Sequence, residues 1–201
     1  INITYQDNGF PFFRTTKYRT FVVEGQPANT QVLTVQAYNN RSVSSGQMQY
    51  IIDNTGLPFA ISASTGTITT TDPLNREFTD FYSFSVWATY TPDSLSGVSR
   101  SSSVTVEVTV LDVNDNAPRL LTVQNTISFP ETTQEGALLA TLSGSDADIG
   151  TNGMLAFYTV SGNDDTTFNL DPLSGAIRLT RQLDYETGPT TYTVAFGVSD
   201  F

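Results

Sequence analysis

The stretch Asp112-Val113-Asn114-Asp115-Asn116-Ala117-Pro118 follows Val104-Thr105-Val106-Glu107-Val108-Thr109-Val110, and these two runs together decide the fold. In the earlier run every even position is valine and every odd one polar, as a strand with one buried face requires. The later run halts that strand at a proline and gathers carboxylates and amides on a few residues. Hard oxygens at that density suit a calcium ion. Calcium takes six to eight oxygen ligands from carboxylates, amide carbonyls and backbone carbonyls, and it tolerates irregular geometry.

Outward from this point the strand signals continue, with short alternating runs between Gly, Pro, Asn, Asp and Ser and no 3.6-residue stripe. Tyr82, Phe84, Val86 and Ala88 make a second buried face, and Thr20 to Glu24, Gln31 to Ala37 and Gln47 to Asp53 supply further strands. The chain also repeats itself. Phe59-Ala60-Ile61, Thr65-Gly66-Thr67-Ile68 and Leu74-Asn75-Arg76-Glu77 return as Phe168-Asn169-Leu170, Ser174-Gly175-Ala176-Ile177 and Leu183-Asp184-Tyr185-Glu186. The offset of about 109 residues is the size of one seven-stranded sandwich. Glu24 is echoed by Glu131, and Gln6-Asp7-Asn8-Gly9-Phe10-Pro11 is a faint earlier copy of the stretch from Asn114 to Pro118.

The D-x-N-D-N-x-P form of residues 112 to 118, with these partner motifs, resembles the linker of the cadherin superfamily. The resemblance is to non-strand-swapping members, either protocadherin-like or other long atypical cadherins, because no tryptophan stands near the N-terminus. It implies an all-β chain of tandem seven-stranded Greek-key β-sandwich repeats. Residues 1–8 would end a preceding repeat, residues 9–116 form one repeat with its linker, and residues 117–201 form another lacking its final strand. The chain is accordingly expected to be an internal piece of a multi-repeat protein.

By the same resemblance, calcium ligands at the junction are Glu24; Asn75 and Glu77; Asp112, Asn114, Asp115 and Asn116; Asp146 and Asp148; and Asp200. Val113, Asn116 and Asn152 would offer backbone carbonyls. Two or three Ca²⁺ ions are implied, with Asn75 standing where the family carries aspartate. Seven carboxylates gathered in one place need a cation, since two unit charges 4 Å apart repel by about 4 kcal/mol at an effective dielectric of 20. Ion binding would turn a loose hinge into a stiff rod. At the leading end of the first repeat Thr4 replaces the linker's first aspartate and Gln36-Ala37-Tyr38 replaces Asp146-Ala147-Asp148. Little calcium is expected there, and Phe10, Phe12, Phe13 and Tyr38 are available for direct packing. Glu131, Asp184 and Glu186 stand ready for a further linker.

Composition narrows the function. Among 201 residues, 20 are acidic and 9 basic, and the formal charge of −11 argues against nucleic acid and favours cations. Without cysteine there is no disulfide framework or thiolate metal site, and without histidine the commonest general base and zinc ligand are missing. A glycosidase-like use of paired carboxylates is the enzymatic alternative. The acids are better explained as metal ligands, so no catalysis and no small-molecule substrate are expected. The sequons Asn2-Ile3-Thr4 and Asn40-Arg41-Ser42 would accept glycans in a secretory pathway. Strict alternation turns Trp87 away from the core, where a loop within Thr91 to Ser103 is expected to cover it, and Ser94 to Ser103 and Asn39 to Ser45 read as loops.

The expected function is that of a calcium-dependent cell-adhesion ectodomain segment. Its partner would be another cadherin-type ectodomain, homophilic or heterophilic, on the extracellular side of a single-pass plasma-membrane parent. The alternative is a non-adhesive spacer or mechanical linker with a calcium-poor, flexible junction at its N-terminal end.

Overall fold

A computed structural model of the chain describes residues 10–39, 46–53, 56–92, 98–121 and 126–201. The sequons at Asn2 and Asn40, the linker copy at Asp7 and Asn8, and most of the Asn39 to Ser45 loop lie outside the described residues. Among the described residues the chain is all-β, and it forms two compact units, residues 1–113 and 114–201.

In the first unit, β2 (Lys17–Val23), β9 (Arg100–Leu111), β8 (Phe81–Pro92) and β5 (Gly46–Ile52) form a four-stranded sheet in that order. A second sheet runs β3 (Gln31–Thr34), β7 (Thr67–Thr70), β6 (Phe59–Ile61), and a short ladder joins β1 (Phe12–Phe13) to β4 (Ala37–Tyr38). The valine alternation does what its period demands: Val104, Val106, Val108 and Val110 are all buried, on the same inward face as Phe84, Val86 and Ala88 of the neighbouring strand. Burying each such side chain contributes roughly 1.5–3 kcal/mol. Phe59 of the opposite sheet packs on Phe84 with ring centroids 5.2 Å apart and meets Tyr82 edge-on at 5.1 Å. β2 runs parallel to β9 and β8 antiparallel to it, so β9 is the central seam of its sheet.

The Ser-rich segment corrects the sequence reading. Arg100 to Ser103 belong to β9, because β8 continues opposite them and Tyr90 pairs with Arg100. Cross-strand hydroxyl contacts of 3.0 Å, Thr89 with Ser101 and Thr91 with Ser99, continue the ladder. Trp87 is therefore flanked on the outer face by Ile51 and Ser103 as strand neighbours. Its Nε1 donates to Asp53 Oδ2 at 3.2 Å, leaving it partly exposed. Residues 93–97 lie outside the described residues.

The second unit repeats the plan with β10 (Arg119–Leu120) paired to β12 (Gly144–Ser145), β11 (Leu138–Thr141) to β15 (Ala176–Leu179) and β14 (Phe168–Leu170), and β13 (Ala156–Ser161) to β16 (Ala195–Ser199). Equivalent glycines permit the same close backbone approach inside each unit. Gly66 and Gly175 have φ of +71° and +69°, and a Cβ on either would come within 2.4 or 2.5 Å of the carbonyl oxygen of Val35 or Leu142. No counterpart of β9 occurs in the second unit among the described residues. Its core gathers Leu142, Phe157 and Ile177, beside a groove lined by Ile127, Leu139, Phe168, Ile177, Tyr192 and Phe196.

Candidate metal site

Within the first unit Glu24 follows β2 and is 1% exposed. Its Oε1 accepts the Val113 N–H at 2.9 Å and its Oε2 the Arg76 N–H at 2.7 Å. One carboxylate thereby ties the end of β2 to the Leu74–Glu77 turn and to the residues after β9. Glu77 and Asp112 join it, and the three residues offer carboxylate oxygens that all lie within 4.8 Å of one another. Oε2 of Glu77 is buried without a hydrogen-bond partner among the described residues.

Arg76 sits among these acids with its side chain 9% exposed, paired through Nε with Asp112 and through a terminal nitrogen with Glu77. Burial works against its charged form, but the hydrogen bonds and charges of Asp112 and Glu77 outweigh that and raise its pKa. Sequence reasoning missed this bridging role. The signal was present, since an arginine preceding an acidic residue inside a proposed ligand motif has a ready partner. Asn75 closes the turn by accepting the Phe78 N–H at 2.8 Å, a local task that its carbonyl oxygen performs without a charge.

In the second unit, Asp148 is 6% exposed and accepts the Asn116 N–H at 3.1 Å and its Nδ2 at 2.7 Å. The same amide nitrogen lies 2.7 Å from Asp115 Oδ1. Asp146 Oδ1 accepts the Asp148 N–H at 2.9 Å, while its Oδ2 is buried without a hydrogen-bond partner among the described residues. Gly153 lets the turn carrying Asn152 close on this group, for a Cβ there would come within 2.2 Å of the Asp148 carbonyl oxygen. Asn114 donates from Nδ2 to the Phe201 carbonyl at 2.9 Å. Asp200 directly follows β16, and neither it nor Asp146 joins a grouping of three acids among the described residues.

The second unit also gathers Glu131, Asp184 and Glu186 within 4.8 Å, all three exposed. Glu131 Oε2 accepts the Tyr185 N–H at 2.8 Å, the bond that Glu24 makes to Arg76 in the first unit. Asp184 lies below the ordinary carboxylate range, chiefly through hydrogen bonds from Thr187 and also from the Glu186 N–H.

At the leading end of the first unit the ladder registers correct the alignment of Gln36-Ala37-Tyr38 with Asp146-Ala147-Asp148. Phe12 pairs with Tyr38 as Arg119 pairs with Ser145, so Tyr38 answers to Ser145 and Asn39 to Asp146. Arg14 lies over the Tyr38 ring at 4.1 Å, and Phe12 packs on the same ring at 6.0 Å. The described residues here build an aromatic and guanidinium stack.

Every donor in the acidic groupings is an oxygen, and two buried carboxylate oxygens stand without hydrogen-bond partners among the described residues. A hard, high-coordinate cation such as Ca²⁺ fits that set, whereas zinc and copper favour nitrogen and sulfur.

The family model described as Cadherin domain matches residues 18–111 and again 125–201. Mouse Protocadherin Fat 4 is 35% identical over 202 residues, covering 100% of this chain and 4% of that protein. The Drosophila melanogaster Protocadherin-like wing polarity protein stan is 34% identical over 207 residues, covering 98% of this chain and 6% of that protein. The chain thus spans a small fraction of the curated relatives it matches. Mouse Cadherin EGF LAG seven-pass G-type receptor 1 is 32% identical over 189 residues, covering 92% of this chain and 6% of that protein, so a single-pass anchor does not follow from the likeness. Among solved structures, the Protocadherin GammaB4 extracellular domain superposes with a TM-score of 0.84 at 22% identity, over 97% of this chain and 33% of that one, and shows the shared fold. Two family matches, an internal repeat and the tandem sandwich plan converge: the chain belongs to the cadherin family, whose members are adhesion ectodomains and not enzymes.

Proposed function

We propose that this chain is a calcium-dependent segment of an extracellular cell-adhesion protein. The observation that carries the reading is the gathering of Glu24, Glu77 and Asp112 around a buried Glu77 oxygen without a hydrogen-bond partner among the described residues. Calcium held by these acids, by Asp115 of the connecting segment and by Asp146 and Asp148 would neutralise their repulsion and stiffen the connection between the repeats. Two or three ions would bind, Asn75 supplying no charge to the set. The partner is another cadherin-type ectodomain, like or unlike, and the parent chain is anchored in a membrane.

Calcium titration by calorimetry on the 201-residue chain tests this. Saturable binding should weaken by at least about tenfold in Asp146→Ala and in Asp115→Ala, with both units still folded. Unchanged affinity in both variants would refute the ligand assignment.

A second reading, a spacer with a calcium-poor leading end, draws on Arg14, Tyr38 and Phe12 stacked there, and on Asn39 where the second unit has Asp146. Sedimentation in calcium separates the two. Self-association supports adhesion through this segment, and a monomer at high concentration supports the spacer.

A further inference from the structure

We propose that Arg76 is a built-in counter-cation, holding the first unit's carboxylates assembled while calcium is absent and becoming dispensable when calcium arrives. This rests on the calcium reading above. The guanidinium reaches Asp112 from Nε and Glu77 from a terminal nitrogen, and its own backbone N–H is held by Glu24. A single residue therefore touches all three acids of the grouping. The geometry suits arginine in particular, because a planar fork of donors serves two carboxylates that a point-charge ammonium would serve one at a time.

The equivalent position in the second unit is Tyr185, 65% exposed, and the acids around it are exposed too. Where the carboxylates remain in water their repulsion is screened and no counter-cation is needed. Where Glu24 is 1% exposed and the Arg76 side chain 9%, water cannot do that work. Burying acids beside one another without a positive charge would drive the turn and the residues after β9 apart. Arg76 substitutes for the ion at low calcium, keeping Glu24, Glu77 and Asp112 close to the arrangement that an ion would need.

Thermal unfolding of the unaltered chain, Arg76→Met and Arg76→Lys, each in chelator and in saturating calcium, tests the assignment. In chelator the methionine variant should lose about 5–15 °C from the first unit's transition, as expected for opening a buried charge pair. The lysine variant, which keeps the charge, should recover about half of that loss. In saturating calcium the gap between Arg76→Met and the unaltered chain should shrink to less than half. No loss in chelator, an equal loss with and without calcium, or a lysine variant as weak as methionine would each overturn the inference. Calorimetric titration of the unaltered chain runs alongside. If it takes up no calcium, the proposed function itself fails; if it does and the melting pattern is absent, only the role of Arg76 falls.

Discussion

The two units carry the same turn, Leu74-Asn75-Arg76-Glu77 and Leu183-Asp184-Tyr185-Glu186, under the same glutamate, yet one acidic grouping is buried and the other exposed. In the first unit Glu24 accepts two backbone N–H groups, one from the turn and one from Val113 beyond β9. In the second, Glu131 accepts one among the described residues, from Tyr185. In the first unit it is β9 that brings Asp112 and Val113 back to the turn. Burial of the acids there depends on that strand as well as on the motif. The motif alone supplies a turn and a handful of solvated carboxylates.

The largest test of that contrast is to remove each glutamate. Glu24→Ala strands two backbone donors in a buried place and should destabilise the first unit by about 2–4 kcal/mol in chelator. Glu131→Ala should cost less than about 1 kcal/mol, because water takes over the Tyr185 N–H. Differential scanning calorimetry reads both, and equal losses would mean that burial does not distinguish the two sites. A smaller effect comes from Tyr185→Arg, which grafts the first unit's cation onto the exposed acids. It should raise the second unit's midpoint in chelator by only about 1–3 °C, and 1 M NaCl should abolish the gain. A rise comparable to what Arg76 supplies would contradict the role given to burial.

The smallest expected effect lies on the outer face of the first unit. Glu107 is held below the ordinary carboxylate range by Lys17 first, against partial desolvation, with Arg19 adding to the shift. A depressed folded value gives stability that is present above the ordinary glutamate value of about 4.3 and lost as pH falls through the lowered folded value. Glu107→Gln should therefore lower the first unit's midpoint slightly at pH 7, by about 1–2 °C, with the gap from the unaltered chain closing as pH falls through the lowered folded value, which melts across pH 2.5 to 7 would read.

Much of this fold was legible because its strongest signals are local. Val104 to Val110 announces its buried face by period alone, and all four valines are buried in the structure. Ser99 to Ser103 misled for the complementary reason. Serine composition favours a loop, but a strand needs only a partner with hydrogen bonds to offer, and β8 supplies one through Thr91. The leading-end alignment erred because Gln36-Ala37-Tyr38 was placed by sequence offset, whereas the pairing of Phe12 with Tyr38 fixes it. The residue types of the candidate site could be read directly. For Arg76 the sequence offered a ready acidic partner in Glu77, but not the burial beside Asp112 and Glu24 that gives it weight.

The pairing of β2 with β9 has a consequence for a chain under tension. The unit's first long strand and its last lie side by side and parallel over seven residue pairs, from Lys17 with Thr105 to Val23 with Leu111. A pull toward the N-terminus acts on Lys17 and a pull toward the C-terminus on Leu111, so the two strands are drawn past one another along their length. Their evenly spaced hydrogen bonds are then loaded in shear, together, and cannot open one at a time like a zipper. Parting the two strands in this way therefore requires that whole ladder to give at once.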